Sequence, residues 1–278
     1  MALLLMVLLS PLPARAETPP PENPKPLWEV GIGGGWASFP PYPGSGERRS
    51  LGLALPYVVY RGSILRASGR SARVVLLERP RQWVDLSGGG WLSVNSSEDP
   101  SRAGMPDRDY TIQAGPRWNL RLANAPEVTA RLAAHGVWSV GGIGRWHPRG
   151  ALLEPSLGIG RRDSGLPTGP RLTVGAVFAS ANANGYLYDV PTAHATATRP
   201  AFKAGSGLAW TFARLALNWN PRPDLRAEVF VSARHLGGSA IEASPLVRRD
   251  TWVSAGFDLV WVFQRSRRTV PDRPLGGD

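Results

Sequence analysis

Arginine and carboxylate side chains recur at alternate positions along several segments of this chain, and they are its most chemically capable residues. Asp85, Asp109, Arg117, Arg121, Glu127, Arg131, Arg226, Glu228, Arg234 and Asp258 carry both signs of charge. Enclosed in a narrow space, such charges are costly to desolvate unless paired, whereas arginine and a carboxylate can form charge-assisted hydrogen bonds. The chemistry expected of them is mutual neutralisation, in a cross-linked network that plugs an interior. An arginine-lined path for small solutes is the alternative use of the same residues.

Catalysis has less to work with. The four histidines, His135, His147, His194 and His235, stand in no nucleophile motif such as G-x-S-x-G. There is no cysteine, no H-x-x-x-H and no calcium-loop spacing of carboxylates, so neither a metal nor another cofactor is expected. Asp99, Asp107 and Asp109 lie near Arg102 and Arg108 and read as solvated loop ion pairs. Gly31, Gly33, Gly34 and Gly35 resemble a phosphate loop superficially, but no Lys-Ser/Thr follows. Closely spaced glycines in a strand more often permit bending or close backbone approach.

A second set of charges looks outward. Arg248 and Arg249 fall in a proline-stiffened segment, Leu236 to Asp250, where contact with lipopolysaccharide phosphates or with a partner is expected. Arg265, Arg267 and Arg268 form a basic group suited to an acidic partner face.

The segments that position these residues are strands. In Thr251 to Phe263, Val253, Ala255, Phe257, Leu259, Trp261 and Phe263 share one face, and Trp252, Ser254, Gly256, Asp258, Val260 and Val262 the other. One face is continuously apolar and the other mixed, with a carboxylate at its middle. Asp109 to Leu122, Glu127 to Val140 and Leu225 to Arg234 alternate in the same way, at lengths that let a tilted strand of about 9–11 residues cross a bilayer. Weaker segments are Trp28–Ser38, Leu51–Arg61, Gln82–Asn95, Gly150–Arg162, Thr168–Ser180 and Lys203–Asn218.

Connections alternate in length. Ala123–Pro126, Asp163–Pro167 and Asn220–Pro223 are short, while Ser96–Arg108, Gly141–Arg149, Ala181–Phe202 and Leu236–Asp250 are long. Short periplasmic turns and long external loops are the asymmetry of outer-membrane barrels. Splitting Gly62 to Arg79 into a small hairpin near Gly69–Arg70 keeps that rhythm. The expected fold is therefore an all-β, antiparallel transmembrane β-barrel of about 12 strands, with about 10 as the alternative.

Composition agrees. The 278 residues include 32 Gly, 27 Pro and 11 Trp, which suits many turns and aromatic girdles. No run approaches the ~18 apolar residues of a membrane-spanning helix. With no cysteine, the chain must be held by backbone pairing and packing rather than disulfides. The net charge of +11 does not point to nucleic acid: the arginines are dispersed, Lys25 and Lys203 are the only lysines, and no nucleic-acid-binding motif is present.

Met1 to Ala16 reads as a cleaved export signal, apolar from Ala2 to Leu9 with Ala14-Arg15-Ala16 as its small-x-small site. Residues 17–26 form a proline-rich periplasmic spacer, residues 27–263 the barrel, and residues 264–278 a basic tail.

The chain resembles the MipA/OmpV family, the proteins named for the MltA-interacting protein. The likeness rests on Tyr42-Pro43-Gly44-Ser45, Leu55-Pro56-Tyr57-Val58-Val59-Tyr60-Arg61 and Gly104-Met105-Pro106-Asp107. It continues through Ala114-Gly115-Pro116, Tyr188-Asp189-Val190-Pro191, Phe202-Lys203-Ala204-Gly205-Ser206-Gly207 and Ser244-Pro245-Leu246-Val247-Arg248-Arg249. The resemblance implies a non-enzymatic barrel of the Gram-negative outer membrane, acting as a scaffold. Its partners would be a lytic transglycosylase and a bifunctional penicillin-binding protein of peptidoglycan turnover. Two departures from the pattern are a tail after the aromatic Phe263 and Tyr-Asp-Val in place of a Tyr-Gly-Val-like turn. A narrow channel for small solutes is the other function the fold allows, because fold alone does not fix function.

Overall fold

The computed structural model describes residues 24–270, apart from 63–64, 69–70, 143 and 164–165. The expected export signal, most of the spacer and residues 271–278 lie outside the described residues. The strands are β1 (Lys25–Pro26), β2 (Trp28–Phe39), β3 (Arg49–Arg61), β4 (Leu65–Ser68), β5 (Ser71–Glu78), β6 (Gln82–Trp91) and β7 (Tyr110–Asn124). They continue as β8 (Glu127–Val140), β9 (Trp146–Asp163), β10 (Leu166–Ala179), β11 (Gly207–Arg222), β12 (Leu225–His235), β13 (Thr251–Arg265) and β14 (Thr269–Val270). Twelve of them, β2 to β13, close into one antiparallel barrel in which each strand pairs with its neighbours in sequence and β13 returns to β2. The fold is a transmembrane barrel, and the hairpin β4–β5 falls where strand parity required one.

Alternation decides which side chain meets which solvent. In β7, Tyr110, Ile112, Trp118 and Leu122 are exposed on the outer wall, while Thr111 and Asn119 are buried inside. In β13, Val253, Phe257, Leu259, Trp261 and Phe263 point outward and Trp252, Ser254, Val260 and Val262 inward. Ile32, Leu172, Leu215 and Val231 extend the same apolar outer surface, the band a bilayer requires. Aromatic residues mark its two edges: Tyr110 and Trp146 at one end, Trp118, Trp219 and Trp261 toward the other.

The glycine run in β2 serves close approach. A Cβ on Gly31 would lie 2.2 Å from the Trp261 carbonyl oxygen, and one on Gly35 2.5 Å from that of Phe257. These positions let β2 lie against β13 and close the barrel.

The two ends differ. Connections 40–48, 92–109, 141–145, 180–206 and 236–250 gather at one end, here the loop end; the shorter ones gather at the turn end. Two loops depart from expectation. Strand β9 begins at Trp146, not near Gly150, because its pairing with β8 continues through Val140 opposite Trp146. The segment after β10 contains a helix, α1 (Ala181–Tyr188), whose first turn is capped by the Ser180 hydroxyl accepting from the Ala183 N–H.

At the turn end, β1 and β14 pair with each other outside the barrel. The Leu27 N–H donates to the Arg268 carbonyl at 2.8 Å, so the start of the basic tail folds back on the entry to β2.

Candidate functional site

The interior is built from charge pairs. At the turn end Glu29, 4% exposed, faces three guanidinium groups. It accepts from Arg61 at 3.3 Å and from Arg226, and Arg265 stands 3.9 Å away. Arg226 also donates to the Tyr57 hydroxyl. Nearer mid-wall, Arg117 Nε lies 3.1 Å from the fully buried Asp85, which Asn119 also contacts at 3.3 Å. Arg214 pairs with Glu228 at 2.7 Å, and Arg171 stands 3.7 Å from Glu127. Glu154 is within electrostatic reach of Arg234, Arg117 and Arg131. Ser87 and His135 share a hydrogen bond of 2.8 Å.

Alternation explains this density, since every second residue of a strand is delivered to the lumen and there an arginine needs a carboxylate. Of the sequence-derived interior residues, Asp85, Arg117, Glu127, Arg226 and Glu228 take part in these pairs. Arg131 and Arg234 are within electrostatic reach of Glu154, Arg121 lies over the Trp83 ring at 5.6 Å, and Asp258 occupies the inner face of β13 opposite Glu228. Asp109 is not inside: it precedes β7, is exposed at the rim, and its N–H donates to the Tyr186 hydroxyl at 2.8 Å. The alternating pattern placed it one position beyond the end of the strand. Glu29, Arg61 and Tyr57 do not stand out as interior polar residues in the sequence because their strands are rich in glycine and apolar residues, although Tyr57 and Arg61 share one face of β3 at even spacing.

The loop end is closed by a packed cap whose core is continuous with the inward wall residues Val137, Val177, Trp210 and Trp252. Tyr42, Val94, Met105, Leu187, Tyr188, Val190, Ile241 and Leu246 are all buried together there. The Tyr188 hydroxyl donates to the Pro43 carbonyl at 2.7 Å, the Tyr42 hydroxyl to the Leu246 carbonyl at 3.1 Å, and the Ser244 hydroxyl to the Tyr188 carbonyl at 2.9 Å. Burial raises the pKa of both phenols, so each stays a donor across the physiological range.

Asp99 and Arg102 correct an expectation, because both are buried rather than solvated. Two short 3₁₀ turns, Ser96–Glu98 and Pro100–Arg102, fold the segment inward. Asp99 then accepts from the Ser45 hydroxyl at 2.8 Å and from the Ser101 N–H and hydroxyl at 2.9 and 2.6 Å. Arg102 donates to the Leu187 carbonyl at 2.9 Å. Burial lowers the Arg102 pKa, an effect opposed by Tyr42 and Asp99, and the guanidinium stays charged.

Arg248 and Arg249 are exposed on the cap, and both backbone N–H groups donate to the Gly44 carbonyl. Arg248 borders a cleft of about 470 Å³ that Asp99, Arg199 and Thr198 also line. Arg267 and Arg268 are exposed at the opposite end, while Arg265 is held by Glu29 and the Pro223 carbonyl.

Three solved structures cover most of this chain at low identity. The CymD monoaromatic hydrocarbon channel is 7% identical with a TM-score of 0.39, covering 87% of this chain and 90% of its own. The Pseudomonas putida toluene transporter TodX is 10% identical with a TM-score of 0.31, covering 85% and 89%. A Pseudomonas aeruginosa FadL homologue is 8% identical with a TM-score of 0.27, covering 85% and 90%. No protein of curated function matches the chain. The family model of the MltA-interacting protein MipA matches residues 32–263, from within β2 to within β13, and the chain belongs to that family.

Proposed function

We propose that this chain is a non-enzymatic barrel of the outer membrane that works as a scaffold, holding a murein hydrolase near a murein synthase. The observation that carries this reading is the organised turn end. Pairing of β1 with β14 holds residues 265–270 against the foot of the barrel and leaves Arg267 and Arg268 exposed beside it. With the loop end outward, that platform faces the periplasm, where a lytic transglycosylase and a bifunctional penicillin-binding protein would meet it. The cap then faces lipopolysaccharide, with Arg248 and Arg249 placed for its phosphates. The family's descriptive name, MltA-interacting protein, supports a murein enzyme as partner. The interior ion pairs and the cap weigh against the alternative of a narrow solute channel.

The test is mild cross-linking in intact cells, followed by purification from outer membranes and identification of what accompanies the barrel. A transglycosylase or penicillin-binding protein is expected, and Arg267→Glu with Arg268→Glu should reduce its recovery. Recovery of lipopolysaccharide and assembly factors alone, together with stepwise conductance in planar bilayers, would replace the scaffold with the channel.

A further inference from the structure

The barrel wall is not uniformly paired. Of the 13 residues of β3, only Tyr60 and Arg61 have partners in β4. On the far side of the hairpin, β6 pairs with β5 from Trp83 to Leu86, whereas Ser87 to Trp91 pair with β7 alone. Above the short β4–β5 hairpin, therefore, the upper parts of β3 and β6 face each other with no strand between them among the described residues. Across the top, Arg49 of β3 donates to the Ser93 carbonyl at 2.8 Å and to Glu98 at 2.6 Å. The result is a window with the hairpin as sill and the Arg49 contacts as lintel.

The chemistry of its frame follows from hydrogen-bond parity. The Arg61 N–H donates to Leu27 on the β2 side, and β3 pairs with β2 without a bulge. Odd-numbered positions of β3 thus turn their amides toward β2, and Ser50, Gly52 and Ala54 turn theirs into the window. The Gln82 carbonyl accepts from Arg79, which by the same alternation aims Gly88 and Gly90 of β6 into it. Side chains follow a different rule. Leu51, Leu53 and Leu55 share the inner face with Tyr57 and Val59, and Leu53 and Leu55 are 52% and 55% exposed there. An apolar row thus lines the inside of the window in a lumen that is otherwise polar and charged.

We propose that this window is a lateral binding site for a membrane lipid, which enters from the bilayer and lays an acyl chain along Leu51, Leu53 and Leu55. Free backbone groups at membrane depth are tolerated only against protein or water, so a pure hydrocarbon does not suit the frame. A lipid supplies both parts: an apolar chain for the leucines, and ester or headgroup oxygens for the amides of Gly88 and Gly90 and for the Ser87–His135 pair. The opening is continuous with the lipid-facing surface, since Trp36 and Leu86 beside it are exposed on the outer wall. A strand from a second copy fits less well. Pro56 has no N–H to offer an incoming strand, and consecutive glycines Gly88, Gly89 and Gly90 are poor strand partners. This site goes beyond the scaffold reading and stands or falls independently of it.

The full-length barrel, reconstituted in phosphatidylcholine vesicles doped with a phosphatidylcholine carrying a diazirine on its acyl chain, provides the test. After photolysis, adducts are expected on Leu51, Leu53 and Leu55 as well as on outward residues such as Leu215, but not on inward Ser232 or Thr173. Gly89→Trp, at a position where an added Cβ meets nothing within 4 Å, should cut the leucine adducts about tenfold while those on Leu215 persist. Leu53→Gln with Leu55→Gln should lower the yield at Leu51 similarly, and heat-modifiable migration on gels reports folding of each variant. Adducts confined to outward residues, leucine adducts indifferent to Gly89→Trp, or a cross-link between two barrels through Ala54 would each overturn the proposal.

Discussion

The Tyr188 hydroxyl donates to the Pro43 carbonyl across 2.7 Å, joining two loops that lie 145 residues apart in the chain. Both residues are buried, and both belong to the short motifs by which the sequence resembles its family. The other loop motifs meet at the same place: Met105, Val190, Ala204 and Leu246 are members of one core cluster with Tyr188. The family pattern in the loops is therefore a packing pattern, specifying a cap that closes the barrel on one side.

Removing only the hydroxyl, by Tyr188→Phe, should cost about 1 kcal/mol, the net worth of one hydrogen bond. Tyr188→Ala also leaves a cavity in the cap and should cost about 3–5 kcal/mol. Because the strands pair without the cap, its loosening should show first as faster proteolysis of loops 40–48 and 236–250, with heat-modifiable migration retained. Uniform loss of the whole fold would mean that cap and barrel form one cooperative unit.

Glu29 is the carboxylate shared by the arginines of the turn end. Glu29→Ala would leave Arg61 and Arg226 enclosed without that neighbour and is expected to destabilise the barrel by about 3–5 kcal/mol. Glu29→Ala with Arg61→Leu should recover part of that loss, because the orphaned charge is then removed as well. The midpoint of urea-induced unfolding in detergent micelles checks both. An additive double variant would mean that Glu29 and Arg61 do not act as a pair.

How much of this was legible depends on what held each part together. Strands β7 and β8 were visible because Arg117, Asn119 and Arg131 interrupt apolar residues at every second position, which only a two-faced sheet demands. Asp85 with Arg117 could be anticipated for the same reason. The β4–β5 hairpin needed the counting argument, since four-residue β4 is too short to show a period. Helix α1 is hard to see because Asn182, Asn184 and Gly185 are weak helix formers and the helix relies on Ser180 as its cap. The cap core was hidden altogether. Tyr42 and Leu246 touch across 204 positions, and no local pattern announces that loop residues, rather than strand residues, will be buried. The burial of Asp99 and Arg102 is a consequence of that unseen core.

Glu98, at the lintel of the window, makes a pH prediction. Its pKa is lowered by hydrogen bonds from Asn95 and then from Arg49. A carboxylate whose pKa is depressed on folding contributes stability above its unfolded value and loses it as pH falls through the folded value. Acidification below the ordinary carboxylate range should therefore release Arg49 and raise amide hydrogen exchange in residues 92–109, while exchange in β8 stays constant. Glu98→Gln should bring the neutral-pH exchange to the acid level and abolish the dependence. A Gln variant that still responds to acid would assign the effect to another group.

The outer wall supplies the most direct test of which face meets lipid. Leu215 is 48% exposed and lies between Leu172 and Val231, 41% and 42% exposed, in a patch without a charged member. One position earlier, Arg214 is accommodated because it turns inward and finds Glu228 at 2.7 Å. The two positions differ by a single step along β11, yet the step exchanges lumen for hydrocarbon. Leu215→Arg should destabilise the reconstituted barrel by about 2–4 kcal/mol, as expected for an arginine near the bilayer midplane. Leu215→Ala should cost less, since it adds no charge and opens no enclosed cavity. Equilibrium folding into lipid vesicles at graded urea measures both. A water-soluble sheet with the same fold would tolerate arginine at an exposed leucine almost without cost, so a neutral Leu215→Arg would reject the membrane assignment of this face, and with it the lipid window.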